Sequence, residues 1–247
     1  LLFLIVMATV VFLVYEYKID GEEVVLPSMH VGHENSSTPL PTTSKLQGST
    51  LRPVPRSNLE ISNLEVQFTS QAPLGVWDHL HDEACEEASI LMAHSWANNF
   101  ALNPAVVEAE LKKMVNWQMA NFGFFESTTA EQTAKMAREV YGLQVDLIQN
   151  PSLKEIKEEI DEGNLVVMGM AGKLLGNPHF RPPGPVYHML VIKGYNETGF
   201  LVNDPGTKHG ANYYYSYDTI MQAAHDWAGS EENLYNAPAV ALVISKD

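Results

Sequence analysis

Tyr187-His188-Met189-Leu190-Val191-Ile192-Lys193-Gly194-Tyr195, then Asn196-Glu197-Thr198, then Gly199-Phe200-Leu201-Val202-Asn203-Asp204-Pro205-Gly206, is the stretch on which the fold turns. Two runs of apolar, β-branched and aromatic residues bounded by turn formers read as strands. Joined across residues 196–198 they make a hairpin, in which the start of the first strand faces the end of the second. His188 and Asp204 then become cross-strand neighbours, near enough for a carboxylate to orient an imidazole. Taken singly, each is ordinary. His188 is one of 9 histidines, and Asp-Pro-Gly makes turns without any chemical duty.

Further strands are expected on either side of this hairpin, over residues 165–170, 212–215 and 237–245, with one helix over about 218–227. The N-terminal half reads differently. A helix is expected over 83–99, with Ala84, Ala88, Leu91, Met92 and Ser95 on one face. Asn103-Pro104 opens a second helix with proline at its first position, running to about 121. Thr128 with Glu131, and Ser152 with Glu155, read as capping boxes for two more, ending at Gly142 and Gly163. A short strand is expected at 65–69. Helices first and strands later predict an α+β fold with an antiparallel sheet, not a βαβ alternation.

Ahead of this globular part, expected over 59–247, lie two segments of other character. Residues 1–15, LLFLIVMATVVFLVY, carry no charge. A membrane span needs about 20 apolar residues, so 1–18 reads as an anchor helix that has lost its beginning. Residues 19–58 include HENSSTPLPTTSKLQGSTLRPVPRS, which has too little apolar bulk to offset its ordering entropy and reads as a flexible stalk. Together they predict a domain held outside a membrane. The formal charge of -15, from 15 Lys+Arg against 30 Asp+Glu, argues against a nucleic-acid partner, which needs basic stripes.

The chain has 1 cysteine, so no intramolecular disulfide can form. Cys85 falls in the first turn of the 83–99 helix, where the helix N-terminus favours a thiolate. Asp82, Glu83, Glu86 and Glu87 work against it. From this helix alone, a reactive thiol and a buried structural cysteine stay equally open. His188 and Asp204 shift the balance, because a thiol, a base and an orienting carboxylate are the parts of an activated nucleophile.

Phe68-Thr69-Ser70-Gln71-Ala72-Pro73-Leu74-Gly75-Val76-Trp77, Cys85-Glu86-Glu87-Ala88-Ser89, His188 to Tyr195 and Asn203-Asp204-Pro205-Gly206 together resemble the C39-like cysteine peptidases over about residues 64–227. The resemblance implies a papain-like fold. It also implies Cys85 as nucleophile, His188 as general base and acid, Asp204 as orienting carboxylate, and Gln71 as side-chain donor of an oxyanion hole shared with the Cys85 N–H. Glycine usually follows the cysteine in that family. Here Glu86 stands there, an acidic group that could select a basic substrate residue or move the pH optimum.

The expected partner is a peptide or protein substrate. Neither cofactor nor metal is expected, since Gly172 to Pro185 lacks the Walker pattern and reads as a loop bordering the cleft. His79-Leu80-His81-Asp82 lacks a convincing third ligand and reads as solvated loop histidines. Two alternatives share these residues: a transglutaminase-like or transpeptidase acyl transferase, and an inactive module that binds peptide or cell-wall material.

Overall fold

The computed structural model describes residues 62–246. The anchor and stalk expected over 1–58 lie outside them; among the described residues no helix is long and apolar enough to cross a membrane. In chain order the elements are β1 Ser62–Asn63, α1 His79–Asp82, α2 Cys85–Asn98, α3 Pro104–Asn121, α4 Ala130–Tyr141, β2 Gln144–Gln149, α5 Leu153–Asp161, β3 Leu165–Ala171, β4 Tyr187–Tyr195, β5 Gly199–Asn203, β6 Tyr213–Ser216, α6 Tyr217–Ala223, α7 Glu231–Leu234 and β7 Val240–Ser245. A 3₁₀ turn, Gly172–Leu175, follows β3.

One sheet organises them, with strand order β2-β7-β3-β4-β5-β6 and β1 beside β4. Every pairing is antiparallel. Successive strand residues point to opposite faces, and here both faces are covered. Leu165, Val167, Met189, Val191, Leu242 and Ile244 pack against apolar side chains of α2, α3 and α4. Val166, Met168, Met170, Leu190, Ile192 and Val202 pack against Ile156 and Ile160 of α5 and Ile220 and Ala223 of α6. That double burial is why β3 reads as an unbroken apolar run, all seven residues buried.

The β4–β5 hairpin forms as its sequence predicts. Asn196 Oδ1 accepts from the N–H of Thr198 (2.8 Å) and of Gly199 (3.1 Å), closing the turn with a side chain that mimics backbone. A bulge at Lys193, between Ile192↔Val202 and Gly194↔Leu201, shifts the register, and the ladder stops at Val191↔Asn203. The buried Lys193 ammonium is satisfied by Asn63 Oδ1 and the Leu64 carbonyl.

Several expectations need correction. Residues 65–69 form no strand; isolated bonds such as Asn203 Nδ2 to the Val66 carbonyl (3.2 Å) hold this segment to the hairpin instead of a ladder. Strand β2 was not expected, although Val145 is buried between exposed Gln144 and Asp146. The capping box of α4 is Thr129 with Gln132, one residue later than Thr128 with Glu131. Thr128 is diverted because its N–H donates to Glu86 Oε1 (2.8 Å). The box at Ser152 and Glu155 forms as expected. The His79–Asp82 segment is a helical turn, and its His81 is buried between Asp78 and Glu108, not solvated. Helix α2 is enclosed all round over residues 84–93, so Glu86 and Glu87 are buried with the apolar face.

Candidate active site

Gln71, Cys85 and His188 line one cavity of about 460 Å³, bordered by Trp77, Phe180 and Arg181. Each arrives from a different element. Cys85 is the first residue of α2, whose N-cap, Ala84, makes no side-chain capping bond. His188 is near the start of β4, beyond the last paired rung with β5. Gln71 belongs to the segment after β1, fixed by its N–H to the Pro205 carbonyl (3.0 Å).

Asp204 organises the far side. Its Oδ1 accepts from His188 Nε2 (2.8 Å) and from the Gly206 N–H (3.0 Å). Its Oδ2 accepts from the Tyr215 hydroxyl (2.7 Å) and from Asn177 Nδ2 (3.2 Å). Burial alone would raise this carboxyl, but the His188 imidazole and these donors outweigh it and hold its pKa below the ordinary value of 3.8. Phe180 meets His188 edge-on, ring centroids 5.2 Å apart. With Nε2 committed to Asp204, the imidazole has Nδ1 for proton exchange. The turn is equally tight behind the carboxylate: a Cβ on Gly210 would overlap the Asp204 carbonyl.

Asn177 and Tyr215 complete this network and were missed from the sequence. Tyr215 carried a weak signal, as the inward member of an alternating Tyr213-Tyr214-Tyr215 strand. Asn177 lies in the Gly/Pro-rich loop and carried none.

The thiol end is unlike the imidazole end. Cys85 Sγ donates to Glu86 Oε2 (2.9 Å). Burial, followed by the charge and hydrogen bond of Glu86 and the charge of Glu87, pushes the thiol well above its ordinary pKa of 9.0. The helix N-terminus favours a thiolate by about 0.3–1 kcal/mol, whereas desolvating an anion costs several, so burial wins. Glu86 is itself raised to about 7, chiefly by burial. Glu87, whose Oε1 accepts from Gln118, is raised well above 4.5 by burial and by the Glu86 charge. Glu86 does not line the cavity, and this corrects the expectation that it could select a basic substrate residue.

Gln71 lines the same cavity as the thiol, with both amide hydrogens occupied. Nε2 donates to the carbonyls of His81 (2.8 Å) and Asp82 (3.1 Å), and the buried Oε1 of Gln71 has no partner among the described residues.

Among solved structures, a protein described as a C39-like peptidase from Bacillus anthracis is 15% identical, covering 75% of this chain and 96% of that one, TM-score 0.49. A double glycine motif protease from an AMS/PCAT transporter, solved in complex with a leader peptide, is 13% identical, covering 75% and 94%, TM-score 0.43. No curated protein matches the chain. The model of the Peptidase_C39 like family matches residues 63–234, more than half of the sequence, and the chain belongs to that family.

Proposed function

We propose that this protein is a cysteine peptidase that hydrolyses peptide bonds by thiol acyl transfer. Membership of a peptidase family supports the class. The observation that carries the mechanism is the His188–Asp204 pair, buried and held from four directions, facing the same cavity as the only thiol in the chain.

His188 Nδ1 takes the Cys85 proton as the sulfur turns from Glu86, and the thiolate adds to the peptide carbonyl carbon. The Cys85 N–H receives the developing oxyanion, joined by Gln71 once it exchanges its longer bond, to Asp82, for the substrate. The imidazolium returns its proton to the nitrogen as the C–N bond breaks, leaving an acyl-thioester. Water, deprotonated by His188, cleaves the C–S bond and restores the thiol. Each oxyanion donor contributes on the order of 10²–10³ in rate.

An electrophilic peptide probe tests this. Wild type is expected to label at Cys85 at neutral pH, and His188→Ala to slow labelling at least about a hundredfold, the contribution of a positioned base. Labelling no faster than a free thiol, unchanged by His188→Ala, sinks the catalytic reading. That result would instead favour an inactive peptide-binding module, for which the Cys85 bond to Glu86 is the specific observation. Acyl transfer to an added amine faster than to water would reassign the reaction to a transglutaminase-like or transpeptidase class.

The location proposed is the outer face of a membrane, carried by residues 1–18 and spaced by 19–58; the apolar run LLFLIVMATVVFLVY supports it. The full chain is expected in the membrane pellet on fractionation, and a chain lacking residues 1–18 in the supernatant. Equal partition of both would refute the anchor.

A further inference from the structure

A second cavity of about 440 Å³ adjoins the one that holds Cys85, and Trp77, Arg181 and Gly206 line both. Its chemistry stands out in a chain with a formal charge of -15. His179, Arg181, Lys208 and His209 line it, and no Asp or Glu does.

The cationic groups are held in position. The Arg181 guanidinium lies 4.9 Å over the Trp77 ring and is paired with Asp82, which lines the first cavity and not the second. The rings of His179 and His209 lie 4.6 Å apart. His179 N–H donates to Asn177 Oδ1 (2.9 Å), and His209 N–H to Thr207 Oγ1 (3.2 Å). Lys208 makes no ion pair among the described residues and is exposed.

Both rims are tied to Asp204. Asn177, which anchors the His179–Arg181 side, donates to its carboxylate. The Lys208–His209 tip belongs to a turn closed by the Asp204 N–H bond to the Gly210 carbonyl (3.0 Å). The backbone segments that carry the basic groups are therefore held in register with the His188–Asp204 pair. Because Trp77, Arg181 and Gly206 line both cavities, a peptide lying across them sets one residue against the basic rim while its backbone passes the thiol.

We propose that this cavity is a substrate subsite for a peptide carboxylate, held by Lys208 and Arg181 with the His179 and His209 rings as additional donors. The inference rests on the peptidase reading for the word substrate and names the substrate class: peptides carrying an acidic group a short, fixed distance from the scissile bond. A carboxylate there finds charge-assisted donors, the strong kind of hydrogen bond: the Lys208 ammonium, unpaired among the described residues, and the guanidinium N–H groups of Arg181 not taken by Asp82. The neighbouring rim, with Asp82 and Glu83, disfavours the same group nearer the thiol, so the cleft reads position as well as charge.

The test uses the full chain, as Cys85→Ala and as wild type, and labelled octapeptides of a Gly/Ala host. Each peptide carries one Glu, scanned through all positions, beside its Gln counterpart and with a free or amidated C-terminus. Fluorescence anisotropy is expected to show one register in which the acidic peptide binds about tenfold tighter than its neutral counterpart. That preference is expected to fall to within about twofold in Lys208→Gln and at raised salt. Preference carried by an internal Glu assigns a side-chain carboxylate, and preference carried by the free-acid end assigns the C-terminus. Equal binding of Glu and Gln peptides in every register, or a preference that survives Lys208→Gln, overturns the proposal. The peptidase reading fails by a different measurement, labelling of Cys85 that ignores His188.

Discussion

Asp204→Ala is expected to lower Cys85 labelling and peptide cleavage by a factor on the order of 10³–10⁴, and to destabilise the domain by about 3–5 kcal/mol. The carboxylate is fully buried. Its loss strands four donors at once: His188 Nε2, the Gly206 N–H, the Tyr215 hydroxyl and Asn177 Nδ2. Each unpartnered buried donor costs about 1–3 kcal/mol. Relaxation around the vacated volume keeps the total below their sum. Catalysis suffers separately, because the imidazole loses both its orientation and the charge that stabilises its protonated form.

Two further substitutions separate those losses. Asp204→Asn keeps an oxygen for His188 and Gly206, while its amide hydrogens face Asn177 and the Tyr215 hydroxyl. It is expected to recover most of the stability and little of the rate. Tyr215→Phe removes one of the four donors and is expected to cost about 1–2 kcal/mol with a small change in rate. Urea unfolding and probe labelling read the two effects independently. If Asp204→Ala unfolded within about 0.5 kcal/mol of wild type and labelled at an undiminished rate, the network would have no such role.

The second large effect is on stability against pH. Stability is expected to fall as pH rises from about 5 to 8, the reverse of a domain whose carboxylates are paired. Glu86 moves from 4.5 to about 7 on folding, chiefly through burial. Between those values the folded chain keeps a proton that the unfolded chain has released, so raising pH favours unfolding. The displacement corresponds to roughly 3 kcal/mol for this residue. Glu87, raised for the same reason, acts in the same direction.

Other groups mark the limits of the window. The His81 pKa is raised above 6.5 because Glu108 and Asp78 outweigh its burial, so its stabilisation is complete below 6.5 and fades as pH climbs through the folded value. Asp204, held low, loses its contribution only as pH falls below 3.8. The double variant Glu86→Gln, Glu87→Gln is therefore expected to flatten the profile between pH 5 and 7, leaving the slope that His81 contributes. Urea unfolding at pH 5, 6, 7 and 8 decides. Equal wild-type stability across that range, or an unchanged slope in the double variant, would exclude the carboxyl pair as its source.

These cases also show which features a sequence carries. The hairpin and its His188–Asp204 pairing are local: two short apolar runs and one turn separate the two residues by 16 positions. The family motif was likewise legible, because its parts are short strings. Burial of charge was not. Glu86 and Glu87 read as acidic neighbours that work against a thiolate, with nothing local to bury them; Gln118 of α3 and the Thr128 N–H meet them only in the folded chain. Asn177 and Tyr215 meet Asp204 through tertiary closure of two loops, which no local pattern encodes. The box at Thr129 was misplaced by one residue for a tertiary reason as well, the claim of Glu86 on the Thr128 N–H.

The strand order has a bearing on how the protein is made. Among the described residues β7 is the last strand in sequence, yet it lies between β2 and β3. Until residues 240–245 have left the ribosome, neither β2 nor β3 has its shared neighbour, and apolar faces on both lack the side chains that bridge them. Contacts between Ser62–Asn63 and β4 likewise join positions about 130 apart in sequence and form late, since loop closure over such spans is slow. A nascent chain therefore carries Cys85 on the ribosome long before the sheet behind it can be completed.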